Sequence, residues 1–182
     1  ITWDDRGRMF VAETVEYPSI PEGKGKDRIK ICEDTNGDGV LDKFTIFAEG
    51  FKLHTGICWV NGGIILAQAP HMYFLKDTTG DDKADVIKPI NTGWGLGDLH
   101  GGPNNLKYSF DNKIYGCIGG GGHVDENGSN RFSAGIWRMD VDGTNFTPIS
   151  NLGDNSWGLS FSEDFEIFAS SANKGPAKHI HA

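Results

Sequence analysis

The sequence predicts an all-β fold, a β-propeller of four-stranded blades. Three observations carry this: a hairpin pattern that recurs four times, a repeat spacing near fifty residues, and no helical apolar period. The hairpin copies are ITWDDRGRMFVAE from Ile1, ICWVNGGIILAQA from Ile57, LKYSFDNKIYGCIG from Leu106 and LSFSEDFEIFASS from Leu159. Each has alternating apolar residues, a polar turn and a second apolar run, the signature of two antiparallel strands. The equivalent residues Met9, Ile64, Ile114 and Ile167 lie 55, 50 and 53 residues apart, the spacing of propeller blades. No segment repeats apolar residues every 3.6 positions over ten or more residues, so helix is not expected.

The second half of each blade follows its hairpin. RIKICEDTNGDGVLDKFTIFAEG from Arg28 and MYFLKDTTGDDKADVIKPINTG from Met72 align Asp34 over Asp77, and GIWRMDVDGTNFTPI from Gly135 is a shorter version with a plain Asp-Gly turn. A blade therefore reads as strand, tight turn, strand, loop, strand, acidic turn, strand. Closed propellers take about four to eight blades, and 182 residues supply about 3.5 at this spacing. The expectation is one partial propeller domain over 1–182, with hairpins starting near 1, 57, 106 and 159, drawn from a six- or seven-bladed ring. The remaining blades are then its first partner; a small four-bladed ring or a partner that completes the circle is the alternative.

Composition narrows the function classes. Hydrophobic residues at 37% and aromatics at 11% suffice for a buried core. There are 25 acidic and 17 basic residues, a net charge of −8, with no Lys/Arg cluster, which excludes nucleic-acid binding through a basic face. No apolar stretch reaches the roughly 18 to 20 residues of a membrane span, so none is expected in this chain. Glycine, at 26 residues, implies many tight turns. Cys32, Cys58 and Cys117 form neither a C-x-x-C pair nor a C-x-x-C-H haem motif, so they read as buried structural thiols.

If strands run down, up, down and up, hairpin turns and acidic turns lie at one end of each blade and the other connections at the opposite end. His54, His71, His100, His123, His179 and His181 all fall in those other connections, the face where such folds carry ligands. The densest segment is NTGWGLGDLHGGPNNLKY, residues 91–108. There His100 sits between Asp98 and Gly101-Gly102, where glycine permits close approach and a carboxylate can orient an imidazole serving as general base. A histidine bonded only to backbone is the plainer reading. Asn104, Asn105, Asn155, Asn173 and Trp157 occupy similar loops, where Asn also serves simply as a turn former. Gly119 to Gly122 before His123 is a close-approach loop without the strand and helix context of a dinucleotide site. Converging histidines would also suit copper or zinc.

The acidic turns carry calcium-ligand spacing. Asp34, Asn36, Asp38, the Val40 carbonyl and Asp42 stand at positions 1, 3, 5, 7 and 9, with Gly39 at 6. Thr45 occupies position 12, where an EF-hand has its bidentate Glu, and a strand follows instead of a helix. The second copy offers Asp77, Thr79, Asp81, the Lys83 carbonyl and Asp85, with Asp82 in place of the glycine. Calcium at both turns would pin blade edges; solvated acidic turns are the alternative.

AETVEYPSIPEGKGKDRIKICEDTNGDGVLDKFTIFAEG, TGICWVNGGIILAQAPHMYFLKDTTGDDKAD, GDLHGGPNNLKY and NSWGLSFSEDFEIFASSAN together resemble the propeller domain of PVC-type membrane-bound dehydrogenases. That family is related to the soluble glucose and sorbosone dehydrogenases, six-bladed propellers that use pyrroloquinoline quinone (PQQ). The resemblance implies oxidation of a sugar or other alcohol, electrons passed to a c-type cytochrome domain or protein, and a periplasmic or extracellular location. In those relatives a histidine shortly before a GPDGKIY-type hairpin removes the hydroxyl proton as hydride passes to the quinone. His100, ahead of LKYSFDNKIYG, matches it, with Asp98 as its catalytic companion. Asn105, His123 and Arg131 are the candidate cofactor contacts. A noncatalytic, calcium-stabilised propeller that binds a glycan or protein, or docks an electron-transfer protein, stays open beside this reading.

Overall fold

The structure, a computed structural model, describes every residue except 126, 129, 130, 154, 173, 174, 176, 177, 181 and 182. Among the described residues there is no helix, and the strands form successive antiparallel sheets, the expected blades. The first sheet runs β1 (Thr2–Trp3), β2 (Met9–Glu13), β3 (Asp27–Glu33) and β4 (Lys43–Phe51) in simple meander order. The second repeats this with β5 (Gly56–Val60), β6 (Gly63–Gln68), β7 (His71–Lys76) and β8 (Val86–Thr92). The third pairs β9 (Asn104–Tyr108), β10 (Lys113–Ile118), β13 (Gly135–Asp140) and β14 (Thr147–Ser150). A two-stranded ribbon, β11 (His123–Val124) and β12 (Arg131–Phe132), is inserted between β10 and β13. The fourth sheet shows three strands, β15 (Ser156–Phe161), β16 (Ile167–Ser171) and β17 (Lys178–Ile180).

Alternation along each strand explains why these segments pair. In β3 the side chains of Ile29 and Ile31 are fully buried, while Arg28 and Lys30 on the other face meet Glu13 of β2 at 2.5 and 2.7 Å. Successive strand residues face opposite sides, so one face builds core and the other builds a charged ladder.

The chain divides into two compact units, Ile1–Gln68 with Tyr73–Lys88, and Ala69–Met72 with Pro89–Ala182. The core of the first gathers Phe10, Ile29, Ile31, Phe47, Ile64, Leu66 and Leu75. That of the second gathers Tyr115, Cys117, Ile136, Leu159, Ile167 and Ile180. None of the three cysteines forms a disulfide and all are buried, as expected of structural thiols. Burial pushes the Cys117 thiol up to about 12, so it stays protonated and unreactive at neutral pH.

Several of the tight turns share one five-residue frame. In β9–β10 the Ser109 amide donates to the Lys113 carbonyl and Asn112 donates back to Ser109. Ser162, Glu166 and Phe165 repeat these bonds in β15–β16, and Asp4, Arg8 and Gly7 do so in β1–β2. The fourth residue of the frame takes positive φ, which Gly and Asn tolerate best.

Candidate functional site

The His100 loop is held on a bed of glycines. The Val124 amide donates to the Gly93 carbonyl at 2.9 Å, Gly95 donates to Gly122 at 2.9 Å, and Gly119 donates to Gly101 at 2.8 Å. These bonds lay residues 93–101 against the loop that opens the β11–β12 ribbon. The approach is close: a Cβ on Gly95 would overlap the Gly121 carbonyl, and one on Gly101 would lie 2.7 Å from the Gly120 nitrogen. Glycine is therefore required here by backbone contact.

Trp94 anchors the loop from below. It is buried and packs against His123 (ring centroids 4.5 Å apart) and Trp137 (4.9 Å). On this support the His100 ring is 64% exposed. The Asp98 carboxylate accepts the His100 backbone N–H at 3.0 Å, and the same oxygen lies 3.6 Å from His100 Nδ1. That is ion-pairing range, beyond a hydrogen bond. The carboxylate thus lies on the Nδ1 side of the ring.

The three candidate cofactor contacts fall in different surroundings. His123 is only 2% exposed, stacked at 4.0 Å on Phe146, with Nε2 2.9 Å from the Thr92 carbonyl and 3.2 Å from Asn91 Oδ1. Both partners accept, so Nε2 carries the proton, and burial holds the imidazole below its usual pKa. Asn105, with φ +54°, donates its carboxamide to the Trp157 carbonyl at 2.6 Å and so ties β9 to β15. Arg131 is exposed at the start of β12, opposite Val124. The ribbon thus places an exposed guanidinium on the element bonded to the His100 loop.

The other histidines do not join one cluster. His54 is buried with Nε2 3.0 Å from the Glu13 carbonyl, and His71 opens β7. His179 corrects the expectation that every histidine sits opposite the hairpin turns: it lies in β17 across from Phe168 and pairs with Glu166 of the β15–β16 turn. The short β17 pairs with the turn-proximal half of β16, and that register carries His179 to the turn end. His181 and Asn173 lie outside the described residues.

Two residues important to this loop carried little sequence signal. Asn104 is buried and donates to the carbonyls of Gly102 (2.9 Å) and Ser156 (3.3 Å), joining the His100 loop to β15. Trp94 supplies the packing platform. The Asn-Asn pair and the tryptophan amid glycines were the available hints.

The acidic turns fold as matched Asx ladders. Asp34 accepts from the amides of Gly37 and Gly39, both at 2.7 Å, Asn36 from Asp38 at 2.9 Å, and Asp38 from Val40 at 2.8 Å. Asp42 closes the turn on Thr35 through the amide at 3.0 Å and the hydroxyl at 2.9 Å. In the second turn Asp77 accepts from Gly80 (2.7 Å) and Asp82 (2.8 Å), Asp81 from Lys83 (3.2 Å) and the Thr79 hydroxyl (3.0 Å), and Asp85 from Thr78. The Gly39 amide leads the groups that hold the Asp34 carboxyl below its usual range, and Thr78 does this for Asp85. Among the described residues no three His, Cys, Asp or Glu side chains converge as a metal cluster. The donor set is all oxygen, which suits calcium, and each carboxylate keeps lone pairs beyond those its amides use.

A family profile described as a domain of unknown function, DUF7133, matches residues 1–182. No curated protein matches the chain. Among solved structures, a luciferin-regenerating enzyme matches with TM-score 0.63 at 10% identity, over 96% of this chain and 53% of its own. The PQQ domain of pyranose dehydrogenase from Coprinopsis cinerea, in its holo form, gives 0.61 at 15% identity, over 98% and 46%. A PQQ-bound aldose sugar dehydrogenase from Streptomyces coelicolor gives 0.58 at 14% identity, over 94% and 64%. At these identities the likeness is one of fold, the β-propeller, and the chain spans about half the length of the first structures it matches.

Proposed function

The chain belongs to the DUF7133 family, and from that premise we propose that it forms the His100-bearing part of a sugar or alcohol dehydrogenase-like propeller linked to PQQ. The observation that carries this is the His100–Asp98 pair: an exposed imidazole 3.6 Å from a carboxylate, on a loop fixed by close glycine backbone contacts. In the reaction, His100 Nε2 takes the hydroxyl proton of the substrate while the carbinol carbon gives up hydride and becomes a carbonyl. Asp98 stabilises the imidazolium that results. PQQ, when bound, supplies the two-electron acceptor for the hydride.

The residues present fit that group in part. Arg131 is the exposed cation on the ribbon and suits a carboxylate of the quinone. Asn105 contributes through the carboxamide oxygen left over from its bond to Trp157, while His123, buried between Trp94 and Phe146, supports the loop from beneath. The turns 34–42 and 77–85 bind calcium as structural pins. Asp34, Asn36, Asp38, Asp42 and the Val40 carbonyl ligate in one; Asp77, Thr79, Asp81, Asp85 and the Lys83 carbonyl ligate in the other. Electrons then pass to a c-type cytochrome, and the enzyme works in the periplasm or outside the cell. No helix among the described residues is long and apolar enough to cross a membrane.

The test is a titration of the full-length protein with PQQ and calcium, following the quinone absorbance, and then dye-linked oxidation of aldoses. Saturable binding near one equivalent with turnover supports the reading. No binding overturns it in favour of a noncatalytic propeller that binds a glycan or protein.

A further inference from the structure

The turn frame described above occurs with Gly7 (φ +78°), Asn112 (φ +60°) and Gly143 (φ +89°) at its left-handed position. In the β15–β16 turn that position holds Phe165 (φ +67°). Glycine and asparagine enter this conformation readily, whereas for a bulky side chain it is strained, and strain retained in a fold points to use. Burial does not account for it, because Phe165 is 55% exposed. Its ring lies 3.7 Å from that of Phe110, in the neighbouring β9–β10 turn and itself 63% exposed. Two turns thus bring two solvent-facing rings together, at the conformational expense of one of them.

The pair opens onto a groove of about 470 Å³, the size of a small-molecule site. Phe161 meets Phe110 edge-on at 6.4 Å and Tyr115 meets Phe161 edge-on at 5.2 Å, continuing the aromatic wall. The rim is acidic. Asp111 and Glu166 line the groove, and Glu163 and Asp164 precede Phe165 in its turn. Against these stand Arg138, 3.6 Å from Asp111, and His179, paired with Glu166.

We propose that this groove binds a small organic cation, an alkylammonium group seated on Phe110 and Phe165 with Glu166 as its counter-ion. Aromatic faces carry negative quadrupole density and attract cations, best when these are weakly hydrated, as methylated ammonium is. Neighbouring carboxylates add long-range attraction and disfavour anions. The proposal is independent of the dehydrogenase reading, since it uses no residue of the His100 loop.

Isothermal titration of the protein with choline tests it, with 3,3-dimethylbutan-1-ol as the neutral isostere. Choline is expected to bind saturably and the isostere at least about tenfold more weakly. F165N places in this turn the residue that Asn112 supplies in the β9–β10 turn. It is expected to weaken choline at least about tenfold while the thermal midpoint holds or rises, because the strain is relieved. E166Q weakens choline with the rings intact. The proposal is overturned by any of four results: no saturable choline binding, equal binding of the isostere, full affinity in F165N, or a clear fall in the F165N midpoint, which would make the ring a packing group.

Discussion

Arg8 Nη1 donates to Asp82 Oδ1 at 2.7 Å, so the residue standing where the first acidic turn has Gly39 is the one that ties the second acidic turn to the β1–β2 hairpin. Asp82 holds φ +64° to do this. Arg8 also reaches Asp4 at 2.8 Å and Glu33 at 3.8 Å, and its own side chain is mostly buried. Removing the guanidinium strands the buried Asp4 carboxylate, whereas removing Asp82 leaves Arg8 with two partners. Arg8→Ala is therefore expected to cost about 3 kcal/mol. Asp82→Gly is expected to cost under about 1 kcal/mol, because the lost pair is offset by relief of positive φ. Urea denaturation of both variants checks the order, and a larger loss in the Asp82 variant would make that carboxylate the centre of the network.

What could be read along the chain and what could not divides by the range of the contacts. Ile29 and Ile31 alternate with Arg28 and Lys30 within seven residues, and a local period of two is sufficient to declare a strand. The Asx ladders of the acidic turns are equally local, since Asp34 caps amides no more than five residues away. His123 shows the opposite case. Its sequence context, a glycine run, suggests an open loop, yet Trp94 and Phe146, 29 and 23 residues distant, enclose it. Asn104 owes its role to the Ser156 carbonyl, 52 residues on. Such positions are decided by how blades pack, which no local pattern encodes. Phe165 was hidden differently: its hairpin was legible, but the left-handed conformation of a phenylalanine runs against turn propensity.

The burial of neutral His123 makes stability depend on pH near neutrality. Its folded pKa lies below 6.5, the ordinary value, chiefly through desolvation. The unfolded chain thus takes up a proton that the folded chain resists. The stability this neutral ring contributes is complete above about pH 6.5 and is lost as pH falls toward the depressed folded value. Asp34, Asp77, Asp85 and Asp140, held below 3.8, lose theirs only in a lower window, beneath that value. Urea midpoints measured from about pH 7.5 to 4.5 are expected to show an early decline in the parent protein that is absent in His123→Gln. An identical decline in the variant would assign it to another group.

Calcium is expected to raise the thermal midpoint, and Asp38→Asn separates ligation from turn stability. The Asp38 carboxylate accepts the Val40 amide at 2.8 Å, and an asparagine oxygen can do the same. The metal-free midpoint of the variant should therefore hold while its calcium-dependent rise shrinks, because a ligand charge has gone. Asp34→Ala is a harsher change, since that carboxylate caps Gly37 and Gly39 at 2.7 Å each, and it should lower the midpoint even without calcium. A parent protein whose midpoint ignores calcium contradicts the assignment of both turns.

Two substitutions separate the base from its neighbouring carboxylate. His100→Ala removes the base and is expected to lower dye-linked alcohol oxidation by at least about 100-fold, with quinone affinity nearly unchanged. Asp98→Asn keeps an oxygen for the His100 amide, so the loop bond of 3.0 Å survives, but the charge 3.6 Å from Nδ1 is lost. Its turnover should fall less than that of His100→Ala, because the base itself remains in place. Turnover that survives His100→Ala clears the histidine of the role, and an Asp98 variant with undiminished turnover reduces that carboxylate to a loop cap.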